Sequence, residues 1–232
     1  MKHGTTETAA IVCDIARAWK CSDDEASIIA RHLTVKTYCK DEIIYHEKTF
    51  PTDIFFLASG KVKIVKECNF GHTQIVRAVR KHTFLGYRAF FASEKYTTSA
   101  MAFEDSTVAI LPFCVVSQIA NCNPGVLAYF VAELSSILGF TDRRIVSLTQ
   151  KHIRGRLADT LLSLKDSYGT ESDGRTLSIA MNREDLASLS NMSTSNAIRT
   201  LSTFAHEGAI SVEGKKIKIL DEALLMHISN LG

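Results

Sequence analysis

The sequence predicts an α+β fold in which a β-rich N-terminal half leads through one long helix to a helical C-terminal half closed by a small hairpin. Three observations carry this. From about Lys40 to Leu111, short β-rich runs alternate with turn signals. From Leu127 to Leu148, apolar residues recur at alternating spacings of four and three. From Met181 to Leu220, two capped helices flank a tight turn, and a glycine stop and a lysine-bearing hairpin follow.

Residues 9–34 open the chain as helix. Ile11, Ile15 and Trp19 mark a first piece, and Ile28, Ile29 and Leu33 mark a second after the start signal Ser22-Asp23-Asp24-Glu25. Strands are then expected at Glu42–Tyr45, Ile54–Ala58, Lys61–Lys66, Thr73–Val79, Ser99–Phe103 and Thr107–Leu111. Ser59-Gly60 and Asn69-Phe70-Gly71 read as hairpin turns. Short strands at this spacing build a sandwich, barrel or roll.

Asn123 can cap the long helix, with Pro124 at its first position. Leu127, Val131, Leu134, Leu138, Thr141, Ile145 and Leu148 then form a heptad seam. The seam either joins two copies of the chain or packs on the chain's own β domain; its narrowness and length favour the first. A helix over Ile153–Ser167 follows, with Leu157, Leu161, Leu162 and Leu164 apolar and Gly169 as its stop. Tyr168–Gly174 reads as a loop and Thr176–Ile179 as a short strand.

Asn182 can cap the helix Arg183–Leu189, Ser190-Asn191-Met192 breaks it, and Ser193 can cap a second helix running to Glu207 before Gly208. Ala197, Ile198, Leu201, Phe204 and Ala205 form its expected apolar stripe, opposite Ser195, Arg199, Ser202 and His206. A helix braced by a shorter one and showing small polar groups with one arginine suits a DNA major groove. The hairpin pairs Ala209–Glu213 with Lys216–Leu220 across Gly214. Ile217 and Ile219 alternate with Lys216 and Lys218, as in a wing that touches phosphates.

Composition limits the alternatives. Formal net charge is only +2, and the segment from Lys151 onward holds ten Lys/Arg against ten Asp/Glu. DNA affinity must therefore come from charge placement and pairing of two copies. The six cysteines, at 13, 21, 39, 68, 114 and 122, include no Cys-x-x-Cys pair, so a reduced cytoplasmic protein with buried structural thiols is expected. The N-terminus carries no signal-peptide core, and no apolar run is read as approaching the ~18 residues of a membrane span. No histidine base lies near Cys114 or Cys122, so no catalytic residue and no enzyme is expected. His32, His46, His72 and His82 are scattered, and no metal site is read.

Over nearly its whole length the chain resembles the CRP/FNR family of bacterial transcription regulators. "NREDLASLSNMSTSNAIRTLSTFAHEGAISVEGKKIKI" is similar to the family's winged-helix signature, and "RGRLADTLLSL" to the helix after its hinge. "IFFLASGKVKI" resembles a strand-turn-strand of the family's roll, and "FLGYRAFF" its phosphate-binding cassette. The resemblance implies a cyclic-nucleotide-binding-like β roll with N-terminal helices over 1–122, a dimerisation helix and hinge over 123–151, and a winged helix-turn-helix over 152–232. It implies a homodimeric, sequence-specific transcription regulator, controlled allosterically by a signal at the roll. Its partners would be double-stranded DNA at a near-palindromic site, a second copy of the chain and RNA polymerase. The alternative is a ligand-binding signalling module whose helix-turn-helix serves protein–protein contact.

The implied DNA-binding residues are Arg183, Ser193, Thr194, Ser195, Asn196, Arg199, Ser202 and Lys216. Arg199 stands where the family keeps an arginine, suited to guanine O6 and N7; its alternative is a salt bridge to Glu184 or Asp185. Ser195 replaces the family's usual acidic residue, so the half-site should differ. Asn196 can pair with adenine or support the cap, and Ser193 and Thr194 suit capping or phosphate contact. The implied effector pocket comprises Gly86, Tyr87, Arg88, Thr98, Ser99 and Ala100. Tyr87 replaces the family's ribose-binding glutamate and Thr98 its phosphate-binding arginine, which argues against cyclic AMP in the usual mode. Arg88 can hold an anion or make an internal salt bridge. The cysteine spacing does not match the family's iron–sulfur sites, so the effector stays unassigned.

Overall fold

The computed structural model describes residues 2–67 and 73–232, so the Asn69-Phe70-Gly71 turn, Cys68 and His72 lie outside it. The chain forms two compact units, Met1–Lys66 with Arg77–Leu138 and Glu67–Val76 with Gly139–Gly232.

The first unit opens with α1 (Lys2–Trp19) and α2 (Asp23–His32). The Ser22 start signal is a complete capping box: the Ser22 hydroxyl accepts from the Glu25 amide, and the Glu25 carboxylate accepts from the Ser22 amide at 2.8 Å. Helix stops earlier than expected, because residues 34–38 pair as a strand. The roll then runs β1 (Thr34–Tyr38), β2 (Ile43–Tyr45), β3 (Asp53–Ser59), β4 (Val62–Glu67), β5 (Thr73–Val79), β6 (Thr83–Leu85), α3 (Tyr87–Phe91), β7 (Ser99–Ala102) and β8 (Ser106–Pro112). One sheet has the order β1-β8-β3-β6 and the other β2-β7-β4-β5.

That topology corrects one turn. β3 and β4 belong to different sheets, so Ser59-Gly60 closes no hairpin and instead carries the chain from one sheet to the other. Gly60 has φ +83°, and a Cβ there would lie 2.3 Å from the Ser106 hydroxyl and 2.6 Å from the Asp105 carbonyl. Gly60→Ala is expected to destabilise the roll by about 1–3 kcal/mol, read as a lower urea midpoint with an unchanged slope.

The core is aromatic. Trp19 is fully buried, stacked on Phe84 at 4.9 Å and edge-on to Phe130 at 5.8 Å. Phe130 belongs to α5 (Pro124–Gln150), which follows α4 (Phe113–Cys122). Val126 and Phe130 of α5 are buried in this core, and Leu134 and Ile137 pack against it. A separate stripe stays uncovered: Leu127, Val131, Leu138 and Ile145 are 46%, 63%, 62% and 54% exposed. Thr141 is exposed as well, while Leu134 and Leu148 are half-buried. Packing on the chain's own roll therefore uses a different face of α5 from most of the heptad seam. Pro124–Gln150 is long and apolar enough, by length and composition, to pass for a membrane span, contrary to the expectation that no run approaches that. Glu133, Asp142, Arg143 and Arg144 interrupt it with charge.

In the second unit, α6 (Ile153–Tyr168) precedes α7 (Arg183–Leu189), α8 (Thr194–His206), β9 (Ile210–Glu213), β10 (Lys216–Ile219) and α9 (Glu222–Leu231). Thr176–Ile179 forms no strand, only isolated bridges of Thr176 with Lys218 and of Leu177 with Thr170. Leu157, Ala158 and Leu161 of α6 and Leu225 of α9 are fully buried. Lys151 pairs with Asp159 at 2.8 Å and donates to Ser229 of α9 at 3.1 Å. The thiols also depart from expectation. Cys13, Cys39, Cys114 and Cys122 are exposed rather than buried. Cys21 is half-buried, and that burial pushes its thiol up to about 11.

Candidate nucleic-acid interface

Short-range hydrogen bonds define the helix pair. Asn182 caps α7 by accepting from the Asp185 amide at 2.6 Å. Asn191 then takes φ +50°, the left-handed residue of the turn, where asparagine is tolerated. Ser193 caps α8 by accepting from the Asn196 amide at 3.3 Å. Two arginines fix the turn itself. Arg144 donates to the Leu189 carbonyl at 2.7 Å, and Arg156 donates to the carbonyls of Ser190 and Asn191, each at 3.1 Å. They satisfy carbonyls left over at the end of α7 and place positive charge at the negative end of its dipole. Neither was singled out from the sequence, because both lie on helices remote from the motif.

α8 buries Ala197, Thr200, Leu201 and Phe204. Two members of the expected apolar stripe are thus misplaced: Ile198 and Ala205 are exposed, and Thr200 points inward instead. The exposed face carries Ser195, Ile198, Arg199, Ser202 and His206, while Thr194 and Asn196 are half-buried. The guanidinium of Arg199 makes no ion pair among the described residues, so the bridge to Glu184 or Asp185 is not formed. Arg183 is turned to another use, donating to the Gly214 carbonyl at 2.9 Å and so bracing the wing turn.

β9 and β10 pair with Lys216 opposite Glu213, and Ile217 and Ile219 are buried as the alternation requires. The lysines face outward but are already answered. Lys216 meets Glu171 at 2.9 Å, and Lys218 meets Asp173 at 3.1 Å. Backbone amides of Thr176 and Arg175, at 2.8 and 3.0 Å, hold the Asp173 carboxyl well below the usual carboxylate range, with help from the Thr176 hydroxyl. A carboxyl shifted this way stays ionised through mild acid, so its pairing with Lys218 is lost only when pH falls below the ordinary carboxylate range. At the wing, two of this segment's ten basic residues are thus neutralised by acidic partners within the chain.

The expected effector residues lie in the roll. Gly86 has φ +89° and starts α3. Tyr87 is buried against Phe130 at 5.0 Å; that burial pushes its hydroxyl up to about 12, with the Arg77 guanidinium pulling the other way. Arg88 makes the internal bridge, to Glu94 at 2.5 Å, and donates to the Thr97 hydroxyl at 3.0 Å. Ser99 is buried and accepts from the Glu47 amide at 2.9 Å; Ala100 is fully buried, and Thr98 is half-buried. Beside them Tyr45 stacks on Tyr96 at 4.1 Å. Of these residues, Arg88 is thus the one whose charge is already answered within the chain.

Comparison with known proteins bears on both units. Residues 35–121 match the model of a cyclic nucleotide-binding domain, and residues 155–228 match that of a Crp-like helix-turn-helix domain. The anaerobic regulatory protein of Bacillus subtilis is 25% identical over 194 residues, covering 83% of this chain and 82% of that protein. A CRP-like cAMP-activated global transcriptional regulator of Mycobacterium tuberculosis is 26% identical over 216 residues, covering 91% of this chain and 96% of its own. FixK2 from Bradyrhizobium japonicum shares the fold with a TM-score of 0.75 at 20% identity, over 84% of this chain and 96% of that one.

Proposed function

The chain belongs to the CRP/FNR family of bacterial transcription regulators, and from that premise we propose that it acts in the cytoplasm as a homodimer on near-palindromic DNA under an allosteric signal. The supporting observation is α8: capped at Ser193, anchored by Leu201 and Phe204, and presenting Ser195, Arg199 and Ser202 to solvent. The roll of 1–122 would be the sensor, 123–151 the dimer helix and hinge, and 152–232 the reader of DNA. In the dimer the two α8 helices would lie about 34 Å apart, one turn of DNA. The recruited partner would be RNA polymerase.

Selection of bound duplexes from a randomised pool, followed by footprinting, tests this. Two symmetric half-sites about ten base pairs apart are expected; recovery of no symmetric site would refute it. The Mycobacterium relative is a cAMP-activated regulator by name, but by its resemblance to the family's cassette this chain carries Tyr87 and Thr98 in place of the ribose-binding glutamate and the phosphate-binding arginine. Titration calorimetry with cyclic AMP is accordingly expected to give no binding heat.

The wing ion pairs give the same proposal a quantitative handle. Glu171→Gln leaves Lys216 free for a phosphate. It is expected to raise DNA affinity a few-fold at low salt and to steepen the slope of log affinity against log salt by about one per half-site. An unchanged slope would mean that Lys216 does not reach the backbone. Steep salt dependence would also separate DNA binding from the alternative in which the neutral wing and exposed Ile198 serve a protein contact.

A further inference from the structure

We propose that Ile198 reads thymine, through the base's C5-methyl group, at the base pair next to the one contacted by Arg199. This rests on the DNA-binding proposal above and deepens it by assigning part of the half-site. α8 inverts the usual pattern of an amphipathic helix at two places: Thr200 is 4% exposed and Ile198 is 48% exposed. A single exposed apolar residue is ordinary on a protein surface. This one stands three residues after Ser195, immediately before Arg199 and four before Ser202, inside the exposed set. Its exposed neighbours one turn away on α8, Ser195 and Ser202, are too small to cover it.

The partner chemistry follows from the groove. Base edges there offer hydrogen-bond donors, acceptors and one apolar group, the thymine methyl. An isoleucine has nothing to give the first two kinds. Neighbouring residues diverge by about 100° around a helix, so Ile198 and Arg199 address different base pairs. Ser195 adds no charge that would need solvating beside the methyl. The inferred half-site therefore holds a guanine for Arg199 with an adjacent thymine for Ile198, on either strand.

The test uses the full-length protein and the duplex recovered by selection, with each thymine replaced in turn by deoxyuridine, which lacks only the methyl. For the unaltered protein, one thymine per half-site should be sensitive. Replacing it should weaken binding about fourfold, or about fifteenfold when both half-sites are changed, as for one buried methyl each. Ile198→Ala should bind more weakly, lose that sensitivity and accept cytosine at the position, while Ile198→Val should keep part of it. Thermal melts should change little, because the residue is 48% exposed. The inference is overturned if no thymine is methyl-sensitive, or if Ile198→Ala keeps the same deoxyuridine penalty. Failure to select any duplex would overturn the DNA-binding proposal and this inference with it, an outcome distinct from selection of a methyl-insensitive site.

Discussion

Arg199→Ala is expected to cost about 1–3 kcal/mol per half-site, and so to weaken binding to a two-fold site by roughly 30-fold to 10⁴-fold. The mechanism is loss of a planar fork whose paired donors match guanine O6 and N7. No other side chain on the exposed face of α8 offers that pairing, since its neighbours are Ser195, Ile198, Ser202 and His206. The loss should fall on specificity: the variant should bind all sequences more evenly, with discrimination gone at one base pair per half-site. Arg199→Lys keeps the charge without the fork and should retain phosphate-like affinity but not the guanine preference. Fluorescence anisotropy with duplexes altered at each guanine makes the measurement. A variant that binds weakly but keeps the full guanine preference would show that another residue reads the base.

Leu138→Glu should split the dimer. Leu138 is 62% exposed on the single chain, so the substitution leaves the roll core intact. In a paired seam it would set two carboxylates against each other in an apolar interface, where burying a charge costs several kcal/mol. Sedimentation should then report a mass near 25.6 kDa rather than twice that. DNA affinity should fall by about 100-fold or more, because the second half-site contact is no longer intramolecular. Val131→Glu, at 63% exposure one heptad earlier, should do the same. An unchanged mass for both would place the dimer contact elsewhere. The opposite control is Phe130, on the roll-facing side, where a charge would destroy folding rather than pairing.

What could be read from the sequence follows the length scale of each feature. The helix pair was legible because its signals are local: Asn182, Ser193 and Gly208 each act on their own helix ends. β5 was legible because residues 73–79 are β-rich and bounded by turn signals. β1 was not, because only Tyr38 of its five residues is buried, and the helical run before it blurs the start. β6 spans three residues and gives no period at all. The sorting of turns between sheets also escaped, since Ser59-Gly60 looks the same whether it closes a hairpin or joins two sheets. At the site, Ile198 fits the helical spacing of Ala197 and Leu201 as well as an inward residue would, yet it is 48% exposed while Thr200 is 4% exposed, a difference that the period of a single helix does not resolve. Arg144, Arg156, Glu171 and Asp173 act across 34 to 45 positions of chain, a distance that no spacing rule covers.

Trp19 is the only tryptophan in the chain, and it is wedged between Phe84 of the roll and Phe130 of α5. The protein therefore carries an optical label in the first unit and none in the second. Emission at long excitation wavelength follows the seating of α5 on the roll, while far-ultraviolet dichroism follows the helices of both units. Melting curves from the two signals, recorded on one sample, will separate if the units unfold independently. A change in Trp19 emission on adding a small molecule would mark that molecule as an effector before any DNA is present.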